Sequence, residues 1–254
     1  MNDQFPLRHF IGKSALAAVA AFGLSLLSAG AADTNAPLTT VPSDSNYKAH
    51  YVWNEGCERR VAAMKGRTCD IIFIGDSITD NFTGRPTPGW GSVGGTVWDK
   101  YYANRDALNF GVGADATQNV LWRLDHMDIK GFKPKVAVIL IGTNNTKNSP
   151  EEIAAGVKGV VEKTRQMFPT AKIILISILP NARATEKMAA ANKLIEPLGD
   201  NKTVFYFDLA SKMTPVGNSW KGLGPDRLHL LPEGYELWAR EMEPLLSKLI
   251  AAMP

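Results

Sequence analysis

A hydroxyl, an imidazole, a carboxylate and a primary amide at the ends of apolar runs can together perform acyl transfer, and this sequence places all four that way. Ser77 lies in Gly75-Asp76-Ser77-Ile78-Thr79-Asp80, directly after the apolar run Ile71-Ile72-Phe73-Ile74. Gly75 permits a sharp exit, and Ser77 then falls where a helix would begin, its hydroxyl among backbone N–H groups that lack intrahelical partners. A serine there reads equally as an N-cap, with Asp80 closing a capping box. In Asp226-Arg227-Leu228-His229, two side chains three residues apart project to one side of a turn. The carboxylate can hold the imidazole tautomer while the other ring nitrogen faces a hydroxyl. The chain has four histidines. His9 is in the N-terminal segment, His50 precedes the first apolar run and His126 ends a helical stretch. Only His229 follows a strand-like run beside a carboxylate.

Two further blocks follow apolar runs. In Gly142-Thr143-Asn144-Asn145-Thr146 an Asn amide can point over a sheet end and donate to a developing oxyanion, or the pair can serve as turn formers. In Gly111-Val112-Gly113-Ala114-Asp115-Ala116-Thr117 two glycines let backbone approach a ligand, and Asp115 or Thr117 can cap the next helix.

The elements that must position these groups are legible from periodicity. The apolar runs are Ile71–Ile74, Ala107–Phe110, Val136–Ile141, Ile173–Ile178 and Val204–Phe207. Continuous rather than alternating apolar character means burial on both faces, as in a parallel sheet covered by helices. Helical spacing is found over Tyr47–Lys65 (Trp53, Val61 and Met64 inward), Ala116–Met127, Pro150–Met167 with Ser149 as N-cap, Ala184–Leu198 and Pro232–Ala252. Alternating β and α predicts a three-layer α/β/α sandwich around a five-stranded parallel sheet, flavodoxin-like in layout. Functional groups then collect at the carboxyl ends of the strands.

Arg8 and Lys13 precede the uncharged run Ser14–Leu27, which ends in Ala29-Gly30-Ala31. This is the layout of a secretory signal over residues 1–31, bacterial in flavour and cleaved near Ala31. The run is shorter than the roughly 20 residues that span a bilayer. The expectation is a secreted or periplasmic protein without a membrane anchor. Residues 32–46 read as an extended lead-in and 47–254 as one domain. With 28 basic and 25 acidic residues the net charge is +3, too balanced to suggest nucleic acid as partner. Two cysteines, Cys57 and Cys69, could pair in an oxidising compartment or remain buried thiols. No cluster has metal-ligand spacing, so no metal or other cofactor is expected.

The glycine-aspartate-serine block, the Gly-Thr-Asn-Asn block and the terminal Asp-x-x-His together resemble the SGNH (GDSL-type) hydrolase superfamily over about residues 48–250. Within it, Leu108 to Asp115, Val120 to Leu124, Gly142 to Asn145 and Leu228-His229-Leu230 resemble the platelet-activating-factor acetylhydrolase catalytic-subunit branch. The resemblance implies a serine esterase with Ser77 as nucleophile, His229 as base and Asp226 as its partner. The oxyanion would meet the N–H groups of Ser77 and Ala114 and the Asn144 side chain. Two positions depart from the superfamily pattern. Ala114 stands where a Gly is usual, and Asn145 stands where an Asp often does. No Gly-x-Ser-x-Gly elbow of the α/β-hydrolase type follows an apolar run.

For substrate, Ile78, Thr143 and Leu228 flank the three catalytic side chains and would wall a small acyl site suited to acetyl. The segment Asn81–Asp99 reads as a long Gly/Pro-rich loop carrying Trp90 and Trp98. Exposed, these could stack on a sugar and point to O-acetylated carbohydrate; packed, they are core. The partner is then a small-molecule or glycan ester. Alternatives are a lysophospholipase or thioesterase of the same chemistry, or a catalytically silent glycan-binding module.

Overall fold

Five short apolar strands pair side by side in the computed structural model, which describes residues 36–44, 69–83, 93–126, 129 and 131–253. The strands are β1 (Ile71–Gly75), β2 (Ala107–Gly111), β3 (Val136–Leu140), β4 (Lys172–Ile176) and β5 (Val204–Phe207). All pairs are parallel, in the order β2-β1-β3-β4-β5. Register places Ile71 beside Ala107 on one side and Val136 on the other.

The pleat divides the core in two. Ile72, Ile74, Phe110 and Ile139 pack with Val120 and Leu124 of α3 (Thr117–His126), Val157 and Val160 of α4 (Pro150–Met167), and Met188 and Ile195 of α5 (Thr185–Ile195). On the opposite face Ile71, Phe73 and Val138 pack with Ile78 of α1 (Ser77–Asp80), Trp98 of α2 (Gly95–Tyr101), and Tyr235 and Trp238 of α6 (Pro232–Ala251). Both faces of the sheet are therefore covered, which is why the strands read as unbroken apolar runs. The α4 start carries a full capping box. Glu152 N–H donates to Ser149 Oγ (3.2 Å), and Ser149 N–H donates to Glu152 Oε2 (2.8 Å).

Several boundaries differ from the sequence reading. β1 and β2 each extend through a glycine, while β3 and β4 end earlier than their apolar runs, releasing Ile141 and Ser177–Ile178 into loops above the sheet. Part of the expected loop Asn81–Asp99 is helical: Asn81–Thr83 forms a 3-10 turn and α2 starts at Gly95. Residues 36–44 do not simply lead in. Thr39 is buried, its hydroxyl donating to Glu152 O (2.6 Å), and its carbonyl accepts from Thr117 Oγ1 (2.9 Å). A two-residue antiparallel hairpin, β6 (Pro215–Val216) with β7 (Ser219–Trp220), was not foreseen. Its signal was Gly217-Asn218, with Gly217 at φ 59°. Among the described residues no helix is long and apolar enough to cross a membrane. The expected signal (1–31), the helix over Tyr47–Lys65, Cys57 and Trp90 lie outside the described residues.

Phe82, in the turn that follows the Ser77 segment, has ring centroids 4.7 Å from Tyr235, 4.9 Å from Trp238 and 5.6 Å from Trp98. It anchors α1 to the core. Phe82→Ala is expected to cost roughly 3–5 kcal/mol of unfolding free energy, measured by urea denaturation. A loss under about 1 kcal/mol would show that the ring is not an anchor.

Candidate active site

The strand order reverses at β1: the chain moves outward to β2, then returns past β1 to β3. A crevice opens at such a point, at the carboxyl ends of β1 and β3. Ser77 follows one strand and Asn144 the other. At Gly75 a Cβ would lie 2.2 Å from Thr79 Oγ1 and 2.4 Å from Leu140 O, so no larger residue fits the exit of β1. The helix cap that follows is Asp76, not Ser77: Asp76 Oδ1 accepts from Ile78 N–H at 2.9 Å. The reading of Ser77 as an N-cap is thereby corrected. Its hydroxyl instead meets His229 Nε2 at 2.8 Å.

The histidine is held by a tight loop. Gly224 N–H donates to His229 O (2.8 Å), Leu231 N–H donates to Gly222 O (2.8 Å), and Leu223 bridges Leu230. Gly222 has φ 89°, and a Cβ there would lie 2.7 Å from Gly234 Cα, so only glycine closes the loop this way. Asp226 Oδ2 is 2.6 Å from His229 Nδ1, and Oδ1 accepts the N–H groups of Leu228 (3.0 Å) and His229 (3.1 Å). Partial burial pushes the Asp226 carboxyl up. The hydrogen bonds from the His229 ring and from the two backbone N–H groups outweigh that and hold it below the ordinary value. An ionised carboxylate only accepts, so the proton between them belongs to Nδ1. Nε2 is then the acceptor for the serine hydroxyl.

The second side of the crevice is built on a buried ion pair. Arg123 Nε donates to Asp115 Oδ2 (2.7 Å), and its other nitrogens donate to Phe110 O (2.9 Å) and Gly75 O (3.3 Å). Asp115, one of the two candidate caps of α3, is instead committed to Arg123. The Thr117 N–H is taken by Asn145 Oδ1 (3.1 Å), which gives Asn145 a structural task in place of an acidic residue. Asn144 Nδ2 donates to Asp115 O (2.9 Å), and Asn144 Oδ1 accepts from Arg183 (3.1 Å). Ala114 has φ 66°, in the left-handed region where a Cβ is strained.

Asp76 is a buried carboxyl that its surroundings hold toward the neutral form. It is fully buried, and Oδ2 has no hydrogen-bond partner among the described residues. Burial pushes its pKa up to about 7 from an ordinary 3.8, aided by the nearby Asp115 charge and opposed by the Ile78 N–H and the Arg183 charge.

Of the expected substrate residues that are described, Ile78, Thr143 and Trp98 are buried and Leu228 is partly exposed. Ile78 faces the core beneath α1, so it does not line an open acyl wall in this conformation. Trp98 is also core, packed edge-on against Phe73 at 5.1 Å, which removes it as a sugar-stacking platform. Cys69 is buried, its Sγ 3.2 Å from Ile71 O; its expected partner Cys57 lies outside the described residues. Sequence reasoning assigns no role to Arg183, Asp76 or Asn181. Asp76 had a signal, as the residue before a helix start. Arg183 had none, because its acceptors come from another loop. Among the described residues no group of three or more His, Cys, Asp or Glu could hold a metal ion.

A model of the GDSL-like lipase/acylhydrolase family matches residues 73–237. The human platelet-activating factor acetylhydrolase IB subunit alpha2 is 32% identical over 209 residues, 80% of this chain and 86% of that protein. The Drosophila melanogaster subunit beta homolog is 34% identical over 151 residues, 59% of this chain and 63% of that protein. Among solved structures, a GDSL-like lipase from Bacteroides thetaiotaomicron superposes with TM-score 0.58 at 17% identity, covering 78% of this chain and 99% of that one. A carbohydrate esterase family 3 protein from Talaromyces cellulolyticus does so with TM-score 0.57 at 16% identity, covering 74% and 100%. At these identities the two superpositions establish the fold.

Two measurements probe this geometry. Asp76 binds its proton more tightly folded than unfolded, so its stabilising contribution is complete below pH 3.8 and lost as pH rises through about 7. Asp76→Asn keeps a capping oxygen and removes the charge. Urea midpoints from pH 4 to pH 8 should fall for the natural protein relative to Asp76→Asn, and parallel profiles would refute the assignment. Ala114→Gly should raise stability by roughly 1 kcal/mol by releasing the left-handed strain. A decrease in the urea midpoint would show that the methyl makes compensating contacts.

Proposed function

The chain belongs to the GDSL-like lipase/acylhydrolase family and is an ester-hydrolysing enzyme, and from that premise we propose that it is a secreted serine esterase acting on short-chain, chiefly acetyl, esters. The observation that carries the reading is the continuous chain Ser77 Oγ, His229 Nε2, His229 Nδ1, Asp226 Oδ2, with links of 2.8 and 2.6 Å. Ser77 Oγ attacks the ester carbonyl carbon while His229 Nε2 takes its proton. Asp226 holds the ring and stabilises the imidazolium. The oxyanion is met by the N–H groups of Ser77 and Ala114 and by Asn144 Nδ2. Collapse expels the alcohol, which leaves with the proton from His229. Water, deprotonated by the same nitrogen, releases the acid from the acyl-enzyme.

Acetyl specificity is supported by the names of the similar acetylhydrolase subunits. Secretion rests on Arg8, Lys13, the run Ser14–Leu27 and Ala29-Gly30-Ala31. Carbohydrate as the alcohol part has lost Trp98 as support and now rests on the secretory layout together with the fold likeness to a carbohydrate esterase.

Hydrolysis of p-nitrophenyl esters of two to eight carbons tests the proposal. The acetyl ester should be favoured, Ser77→Ala should lose about 10⁴–10⁶ of kcat, and Asn144→Ala should lose about 10²–10³. Undiminished turnover by Ser77→Ala would end the serine reading, and preference for octanoyl would end the acetyl one.

A further inference from the structure

We propose, resting on the serine-esterase reading, that Arg183 is a positioning residue for this reaction: it grips the Asn144 amide by its oxygen and so aims the amide nitrogen into the oxyanion site. The two ends of an Asn amide are nearly the same size, and packing alone cannot choose between them. Here the partners choose. The nitrogen Nη2 of Arg183, 3.1 Å from one end, can only donate. The Asp115 carbonyl, 2.9 Å from the other, can only accept. The amide is locked with Oδ1 toward the guanidinium, one Nδ2 hydrogen on Asp115 O and the second left for an oxyanion. A flipped amide would set N–H against guanidinium and C=O against C=O.

The same Nη2 also donates to Thr143 O at 3.1 Å, so one guanidinium holds two successive residues at the exit of β3. Arg183 is itself fixed from below. Asn181 is buried, and its Oδ1 accepts the N–H groups of Arg183 (3.0 Å) and Ala184 (3.3 Å). Ala182 N–H donates to Arg227 O (3.0 Å), inside the loop that carries Asp226 and His229. The corner 181–184 therefore ties the Asn144 loop to the histidine loop. A charged donor on the amide oxygen also polarises the amide and makes its N–H a stronger donor toward negative charge. The Arg183 charge also opposes the upward push that burial gives the Asp76 carboxyl, next to Ser77.

The simpler view is a surface arginine making an incidental contact, of negligible value. A double-mutant cycle separates the two. Steady-state kinetics on p-nitrophenyl acetate are compared for the natural protein, Arg183→Ala, Asn144→Ala and the double variant, with thermal melts of each. Arg183→Ala should lower kcat about tenfold with KM changed less than about twofold, and Arg183→Lys should recover part of it through its single charged donor. In the Asn144→Ala background, removing Arg183 should cost less than about twofold, because the group it aims is gone. An equal loss in both backgrounds, or no loss in Arg183→Ala, overturns the proposal.

If Arg183→Ala melts early, Arg183→Lys and Arg183→Gln carry the cycle. A readout independent of acyl preference is the rate at which diethyl p-nitrophenyl phosphate modifies Ser77, followed by protein mass. There the Ser77 oxygen bonds phosphorus, p-nitrophenolate leaves and His229 takes the proton. The same non-additivity is expected, and additivity overturns the proposal. Ser77→Ala is run in parallel in both assays. Activity retained there sinks the esterase reading itself, whereas an inert Ser77→Ala with an additive cycle sinks only the role of Arg183.

Discussion

A fully buried guanidinium under the crevice organises everything above it. Arg123 has no accessible surface, lies over the Phe110 ring at 4.5 Å, and divides its donors among the Asp115 carboxylate and the carbonyls of Gly75 and Phe110. Those carbonyls end β1 and begin the exit of β2. Such a pair contributes little net stability, because desolvation offsets attraction, but losing one partner leaves a bare buried charge at a cost of about 3–5 kcal/mol. Its consequence is geometric. The strand that delivers Ser77 and the loop that delivers Ala114 and Asp115 cannot move independently.

From that anchor the site is assembled by backbone carbonyls. Asp115, held by Arg123 through its side chain, offers its carbonyl to Asn144. Arg183 takes the other end of Asn144, and its neighbour Ala182 takes the carbonyl of Arg227. The loops after β1, β2, β3 and β4 and the late Asp226–His229 loop thus form one connected set of hydrogen bonds. Backbone strain is present in these loops, as it is at Asp106 and Asn201 elsewhere. Ala114 and Arg227, both carrying a Cβ, have φ 66° and 54°, a conformation that persists only when surrounding contacts over-determine it. The buried Asp76 adds a carboxyl whose charge the interior opposes. Stability is given up around the crevice and recovered in the two apolar layers below it.

The layers recover it through ordinary packing. The aromatic group of Phe73, Phe82, Trp98, Tyr102, Tyr235 and Trp238 fills one face of the sheet. Tyr235 OH reaches from α6 to the Ile78 carbonyl (2.7 Å) in α1. The last helix therefore braces the Ser77 segment, and the Asp226–His229 loop enters that helix directly. This is how groups separated by 152 positions, Ser77 and His229, are brought to hydrogen-bond distance.

Legible in the sequence were the layered α/β architecture, the five strands to within a residue or two, four of the helices among those described, and the residues that the structure brings together at the candidate site. These are legible because strand burial on both faces leaves an unbroken apolar run, and because side chains that follow such runs must gather at one edge. Tertiary structure alone decided which oxygen caps α1, that Asn145 caps α3, that Trp98 and Ile78 are core, and that Arg183 meets Asn144. Except for the α1 cap, which is local to Asp76 and Ile78, each of those depends on a partner distant in the chain, and often on a backbone carbonyl, which every residue carries and no residue type announces. A tryptophan in a glycine-rich stretch has the same local signature whether it faces solvent or Phe73. Only the closing of α2 onto the sheet distinguishes the two, because burial is a property of what packs against a side chain and not of the side chain itself.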